Sequence, residues 1–168
     1  MLRKLEKKDV SGMLEWMHDE AVNQWFRFDF SQMNEEKALD FIEKSFDEEN
    51  QNFAIVNEND EYMGTISLKN ISKVDNSAEY AVVTRSCIHG TNLAYQATME
   101  LLKYAFETLQ LERVYLNVLE INGRANRFYE KCGFVYEGMS RNHLYLKGEY
   151  RSLKWYSMLK EEYAKIGG

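Results

Sequence analysis

Leu93, Ala97, Leu101, Ala105 and Leu109 recur every four residues, with Ala94, Leu102 and Phe106 beside them. That period lays an apolar stripe along one helix that begins near Asn92. A strand-like run, AEYAVVT at residues 78–84, precedes it, and a second, RVYLNVL at 113–119, follows it. Both are rich in β-branched and aromatic residues. Strand, long helix and strand in succession make a βαβ unit, which sets its two strands parallel in one sheet.

The rest of the chain must be fitted around that unit. A short strand falls at 2–5, and Asp9 stands as N-cap of a helix with Val10, Met13, Leu14 and Met17 on one face. Residues 19–33 are aromatic-rich without a period. Asn34 precedes a second helix carrying Ala38, Leu39, Ile42 and Phe46. Runs at 53–56 and 62–68 flank a turn at 57–60, which predicts a hairpin. A helix over 122–131 ends at Gly133, and strands at 134–137 and 155–159 close the chain. The order β-α-α-β-β-β-α-β-α-β-β predicts a single α/β domain over 1–168, a mixed sheet with helices on both faces.

Composition then removes several classes of function. Lys and Arg total 21 against 27 Asp and Glu, a net charge of −6, with no polybasic block. A nucleic-acid partner would require one. Cys87 and Cys132 lie far apart and the three histidines are scattered, so no metal site is expected. No apolar run nears the roughly 20 residues that span a bilayer. Residues 1–10 are too charged for a signal peptide, so a cytoplasmic protein without membrane contact is expected, either monomer or homodimer.

Two segments carry chemistry. Between strand 78–84 and the long helix, Gly90 lies in a loop at a helix N-terminus, where unpaired N–H groups and a partial positive charge favour a phosphate. Further on, Asn122 caps the helix over 122–131, Asn126 lies one turn later and Tyr129 about two turns on, along one face. A ligand between strands 78–84 and 113–119 would meet all three. Taken singly, Asn122 reads as a cap, Asn126 as a solvated side chain and Tyr129 as a core aromatic.

Together they resemble the GNAT acetyltransferases. His89-Gly90-Thr91-Asn92-Leu93-Ala94 occupies the place of the family's R-G-x-G-x-G/A pyrophosphate loop, with Asn92 for a glycine and His89 for the basic residue. Asn122, Ala125, Tyr129, Lys131, Gly133 and Phe134 match the second cofactor motif, N-x-x-A/S-x-x-x-Y-x-K-x-G-F. The trailing Glu137-Gly138 resembles the branches that acetylate ribosomal-protein N-termini and nucleotide-linked amino sugars.

The resemblance implies a mostly antiparallel sheet whose parallel strands splay apart to hold acetyl-CoA. Val82, Val83, Ile88, His89, Gly90, Thr91, Asn92, Leu93, Ala94, Asn117, Asn122 and Asn126 are the expected cofactor residues. Tyr129 is the expected acid for the departing thiolate. Glu79, a lone carboxylate in an apolar strand, is the expected base. Trp25, Arg27, Phe28, His143 and Tyr145 are candidates to line the pocket of a small-molecule or peptide amine, with Phe26 beside them. The Trp/Phe/Arg segment favours a bulky small acceptor, and no acidic cluster is read as favouring a polycationic one. A degenerate module that binds acyl-CoA without turnover is the alternative, resting on His89 and Asn92.

Overall fold

A computed structural model describes residues 1–167. Strand β1 (Leu2–Lys4) is followed by helices α1 (Val10–Met17), α2 (Glu20–Asn23) and α3 (Glu35–Glu43). Strands β2 (Gln51–Val56), β3 (Tyr62–Ser72) and β4 (Ser77–Thr84) come next, then α4 (Leu93–Lys103), β5 (Arg113–Leu119) and α5 (Gly123–Cys132). Strands β6 (Val135–Leu146) and β7 (Glu149–Leu159) and helix α6 (Lys160–Gly167) complete the order.

The sheet runs β1-β2-β3-β4-β5-β7-β6, antiparallel throughout except at β4/β5. β3 holds β4 from Gly64↔Thr84 to Lys69↔Glu79, and β7 holds β5 along its whole length. Between them, β4 and β5 pair only at Ser77↔Arg113, Ala78↔Val114 and Glu79↔Tyr115. Beyond that point the two halves diverge, and a gap opens between residues 80–84 and 116–119.

One face carries α4 and α5 over a core of Ile66, Leu68, Tyr80, Leu101, Leu102, Val114, Leu116, Tyr156 and Met158. The other carries α1, whose Met13, Trp16 and Met17 pack on Ala54, Val56 and Tyr62. Trp16 Nε1 donates to the Tyr62 hydroxyl at 2.9 Å, and that hydroxyl meets Thr65 Oγ1 at 2.7 Å. This buried chain leaves none of the three polar groups orphaned beneath α1.

Local chemistry explains the departures from expectation. Asp9 makes no capping bond to α1, because a 3-10 turn over Lys7–Asp9, closed by a Glu6/Asp9 capping box, runs straight into that helix. Its buried carboxylate instead accepts from Arg3 Nη1 at 2.8 Å, Arg3 Nη2 at 2.9 Å and the Glu6 amide at 2.8 Å. Asn34 does cap α3, accepting from the Lys37 amide at 2.9 Å.

Gly64 shows how closely β3 and β4 approach at the open end of the gap. A Cβ there would lie 2.5 Å from the Val83 carbonyl oxygen and 2.9 Å from Thr84 Cα, both backbone atoms that cannot rotate away. Gly64→Ala is expected to cost about 1–3 kcal/mol. At about 2–4 °C per kcal/mol for a chain of this size, a thermal melt should show a clear drop. An unchanged Tm would mean that β4 shifts without cost.

Candidate active site

The register of β3 and β4 decides which backbone groups face the gap. The Arg85 amide donates to the Met63 carbonyl at 2.9 Å, so Val83, Ala81 and Glu79 form the hydrogen-bonded pairs with β3. The N–H and C=O groups of Tyr80, Val82 and Thr84 therefore point the other way, where β5 has left. Val82 offers a free N–H at the middle of the opening while its side chain packs on the α4/α5 core. Val83, expected beside it, is turned away: its backbone is engaged by β3 and its side chain joins the α1 cluster.

The gap leads to the N-terminus of α4. Ser86–Ile88 form a 3-10 turn, and Gly90 follows at φ 84°, which suits glycine. Thr91 turns back, its amide and hydroxyl both bonding the Ile88 carbonyl, at 3.1 and 2.6 Å. Ile88 itself is buried in the core and anchors the loop. The first intrahelical bond of α4 runs from the Gln96 amide to the Asn92 carbonyl, so the N–H groups of Ala94 and Tyr95 leave the helix end unpaired. Leu93 N–H has only a 3.4 Å contact with Thr91 Oγ1.

Asn92 adopts φ −88°, ψ 1° without a side-chain cap, so no left-handed residue is needed where the family has glycine. The ground for a degenerate loop is thereby weakened. His89 is held below its ordinary pKa by burial and by the nearby charge of Arg124. At neutral pH the positive charge beside the loop thus belongs to Arg124, at the start of α5, a residue that the motif leaves as an unspecified position.

Helix α5 leaves the end of β5 and lines the gap. Asn122 accepts from the Ala125 amide at 3.3 Å, and Gly133 ends the helix at φ 98°. Asn126 does not face the gap. Its amide donates to the carbonyls of Leu119 at 3.1 Å and Asn122 at 2.8 Å, and its oxygen accepts from the Tyr156 hydroxyl at 2.8 Å. The expectation of a cofactor contact is corrected accordingly: Asn126 ties α5 to β5 and β7. Lys131 lies over the Tyr95 ring at 5.2 Å and braces α5 against α4.

Tyr129 is packed among Tyr80, Phe128, Phe134 and Tyr156. Burial raises its phenol above the ordinary range, with the Cys132 thiol adding to the effect. No fully enclosed side-chain nitrogen or oxygen among the described residues lacks a partner. The Tyr129 hydroxyl makes no hydrogen bond, so it opens onto free space. By contrast, Tyr80 bonds Thr98 at 2.7 Å and Tyr156 bonds Asn126. A protonated phenol with no internal partner can give its proton to a ligand in the gap.

The opposite face holds the expected base Glu79, part of the acceptor set, and Asn117, a residue expected at the cofactor. Glu79 lies at the last β4/β5 pair, accepting from Asn70 Nδ2 at 3.3 Å. Asn117 pairs with Trp155, one pleat further along the gap. Trp25 packs against a cluster of Leu119, Leu146 and Leu153, which Leu144 and Trp155 also cover, so the 19–33 segment and the last hairpin do meet. His143 Nδ1 lies 2.9 Å from Ser140 Oγ, which also accepts from Trp155 Nε1 at 2.9 Å.

Four candidates do not reach this cluster. Phe26 is partly buried against Trp16 and Phe30 at the edge of the α1 cluster. Phe28 is exposed and contacts Phe30, and Tyr145 is exposed against Tyr150. Arg27 is exposed.

A family model described as an acetyltransferase (GNAT) domain matches residues 1–135. The spermidine N(1)-acetyltransferase of Vibrio cholerae serotype O1 is 26% identical over 163 residues, covering 96% of this chain and 94% of the relative. The putative ribosomal N-acetyltransferase YdaF of Bacillus subtilis is 35% identical over 100 residues, 60% of this chain and 55% of the relative. A crystal structure of spermidine N-acetyltransferase from Vibrio cholerae in complex with CoA and spermine superimposes with a TM-score of 0.88. It is 24% identical and covers 98% of this chain and 97% of that one.

Proposed function

This chain belongs to the GNAT acetyltransferase family, and on that premise we propose that the amine it acetylates is a polyamine of the spermidine class. The reaction is transfer of an acetyl group from acetyl-CoA to a primary amine. The N–H groups at the start of α4, with Gly90 and Arg124, fit a pyrophosphate. The Val82 N–H fits the thioester carbonyl, where a fixed donor stabilises developing negative charge. The amine nitrogen attacks that carbonyl carbon and the C–S bond breaks. Glu79 takes a proton from the nitrogen and Tyr129 gives one to the sulfur.

The observation that carries the polyamine reading is local charge. Residues 19–50 hold ten Asp and Glu against three Lys and Arg, 3 − 10 = −7, while the whole chain is −6. Whole-chain composition conceals this imbalance, and it reverses the expectation that no acidic cluster favours a polycation. Only Asp40 and Glu48 of those ten have an ion-pair partner among the described residues. The segment supplies α2, Trp25 and α3 on the same side of the sheet as Glu79. An unneutralised field of that kind steers and retains a cation. The names of the relatives in Vibrio cholerae and Escherichia coli point the same way.

Release of CoA should be measured with spermidine and with n-butylamine, which keeps only the reacting amine. At about 1 kcal/mol or less per distal ammonium, spermidine should be favoured about tenfold in kcat/KM. The preference should shrink as salt shortens the Debye length from about 10 Å at 0.1 M to about 3 Å at 1 M. Equal kcat/KM for the two amines, or a preference for peptides or amino sugars, would reject the polyamine.

A further inference from the structure

We propose that Tyr115 is a positioning residue for the reacting amine, forming with Glu79 a two-walled seat at the closed end of the gap. Glu79↔Tyr115 is the last pair before β4 and β5 part, so the two Cα atoms stand about one strand spacing apart, roughly 4.8 Å.

Strand alternation puts both side chains on one face. In β5, Val114, Leu116 and Val118 enter the α4/α5 core, whereas Leu119 joins Trp25 and Leu153 on the other side. Tyr115 and Asn117 therefore share that second side. In β4, Tyr80 and Val82 face the α4/α5 core and Val83 the α1 cluster, which sends Glu79 to the α1 side. Tyr129 approaches from the opposite face. An amine seated between Glu79 and Tyr115 would reach the gap from the side away from the departing sulfur.

The polar atoms of both walls are largely free. The Tyr115 hydroxyl makes no hydrogen bond among the described residues, although the hydroxyls of Tyr62, Tyr104 and Tyr163 all do. Glu79 takes only the long bond from Asn70. Two cations stand nearby: Lys69, opposite Glu79 in β3, is exposed and makes no ion pair with it among the described residues, and Arg113 lies 5.3 Å over the Tyr115 ring but is held bidentate by Glu137 at 2.6 and 2.7 Å. Burial raises the Tyr115 phenol and the Glu79 charge adds to the rise against the opposing Arg113, so the hydroxyl stays protonated. The seat offers a carboxylate, a hydroxyl oxygen and an aromatic face, the chemistry that holds an ammonium group.

This inference rests on the amine-acetylating function, and n-butylamine tests it apart from the polyamine reading. The distal charges decide the spermidine-to-butylamine ratio in the unaltered enzyme; Tyr115 decides the KM for the reacting end alone. Tyr115→Phe should raise the butylamine KM about 3- to 10-fold, the range for losing one hydrogen bond. Tyr115→Leu should raise it about 10- to 30-fold, as a desolvated cation–π contact is lost as well. Both should keep kcat within about twofold, the pattern of lost uniform binding, with the acetyl-CoA KM unmoved. A butylamine KM within twofold of the unaltered enzyme in both variants overturns the proposal. So does an acetyl-CoA KM that rises in step. If Tyr115→Leu fails to fold, the Tyr115→Phe result decides alone.

Discussion

Replacing Tyr129 by phenylalanine lowers kcat by about 10²–10⁴-fold, the usual contribution of a positioned general acid. The substitution removes only an oxygen that has no partner inside the protein. The ring contacts with Tyr80, Phe128, Phe134 and Tyr156 remain, and no donor or acceptor is left orphaned. Tm should stay within a degree or two, which separates this variant from a folding defect. The acetyl-CoA KM should move much less than kcat, because the hydroxyl acts on charge that develops as the C–S bond breaks. The pH profile gives an independent check. Burial raises the phenol, so the group stays protonated up to and beyond its ordinary value of about 10. No basic limb from Tyr129 should be seen below that pH. Full turnover by a normally folded Tyr129→Phe protein would return the residue to a packing role.

Much of the fold was legible where a period was strong. The four-residue recurrence from Leu93 to Leu109 predicted one helix, yet α4 stops at Lys103 and Tyr104–Thr108 take π-helical form. There the Tyr104 hydroxyl bonds Gln51 and its carbonyl receives the Leu109 amide, tertiary demands that spacing does not record. The last two strands were read too short. β6 lies at the sheet edge and is exposed along most of its length, so its central Arg141-Asn142-His143 shows no apolar alternation. Helix α6 was missed because few of its residues are apolar. Tyr163 stacks on Phe106, and Ile166 reaches the place where a Cβ on Gly133 would be.

In the site, the sequence identified residues whose role is set by one element. Asn122 caps, Gly133 ends and Tyr129 faces inward, all within α5. Residues whose role depends on a second element escaped. Helical spacing put Asn126 on the face of Tyr129, but not that the Leu119 carbonyl would claim its amide. Val82 and Val83 differ only through the register with β3. Tyr115 gains meaning only once Glu79 is known to stand opposite it. The signal for the acidic 19–50 segment was present in the sequence and was lost by averaging over the chain.

Glu79→Gln should lower kcat with an alkyl amine by about 10²–10³-fold at neutral pH, within the usual range for a positioned base. The upper end has a physical bound. An alkyl amine resembling the lysine side chain has a pKa near 10.4, so at pH 7 only about one molecule in 2,500 is neutral and able to attack. An enzyme with a base can bind the abundant ammonium form and deprotonate it in place. Without the base it must wait for the rare neutral form. Glutamine keeps the size of the side chain and the acceptor for Asn70, so the strand pair should not change and Tm should hold. Two readings then distinguish a base from a structural carboxylate. The residual rate of the variant should climb about tenfold per pH unit toward the pKa of the amine, while the unaltered enzyme levels off earlier. At high pH the two rates should converge, because the amine arrives already neutral. A variant that keeps a kcat within a few-fold of normal and the same pH profile would rule out Glu79 as the base. Tyr115 would then seat an amine that loses its proton directly to water.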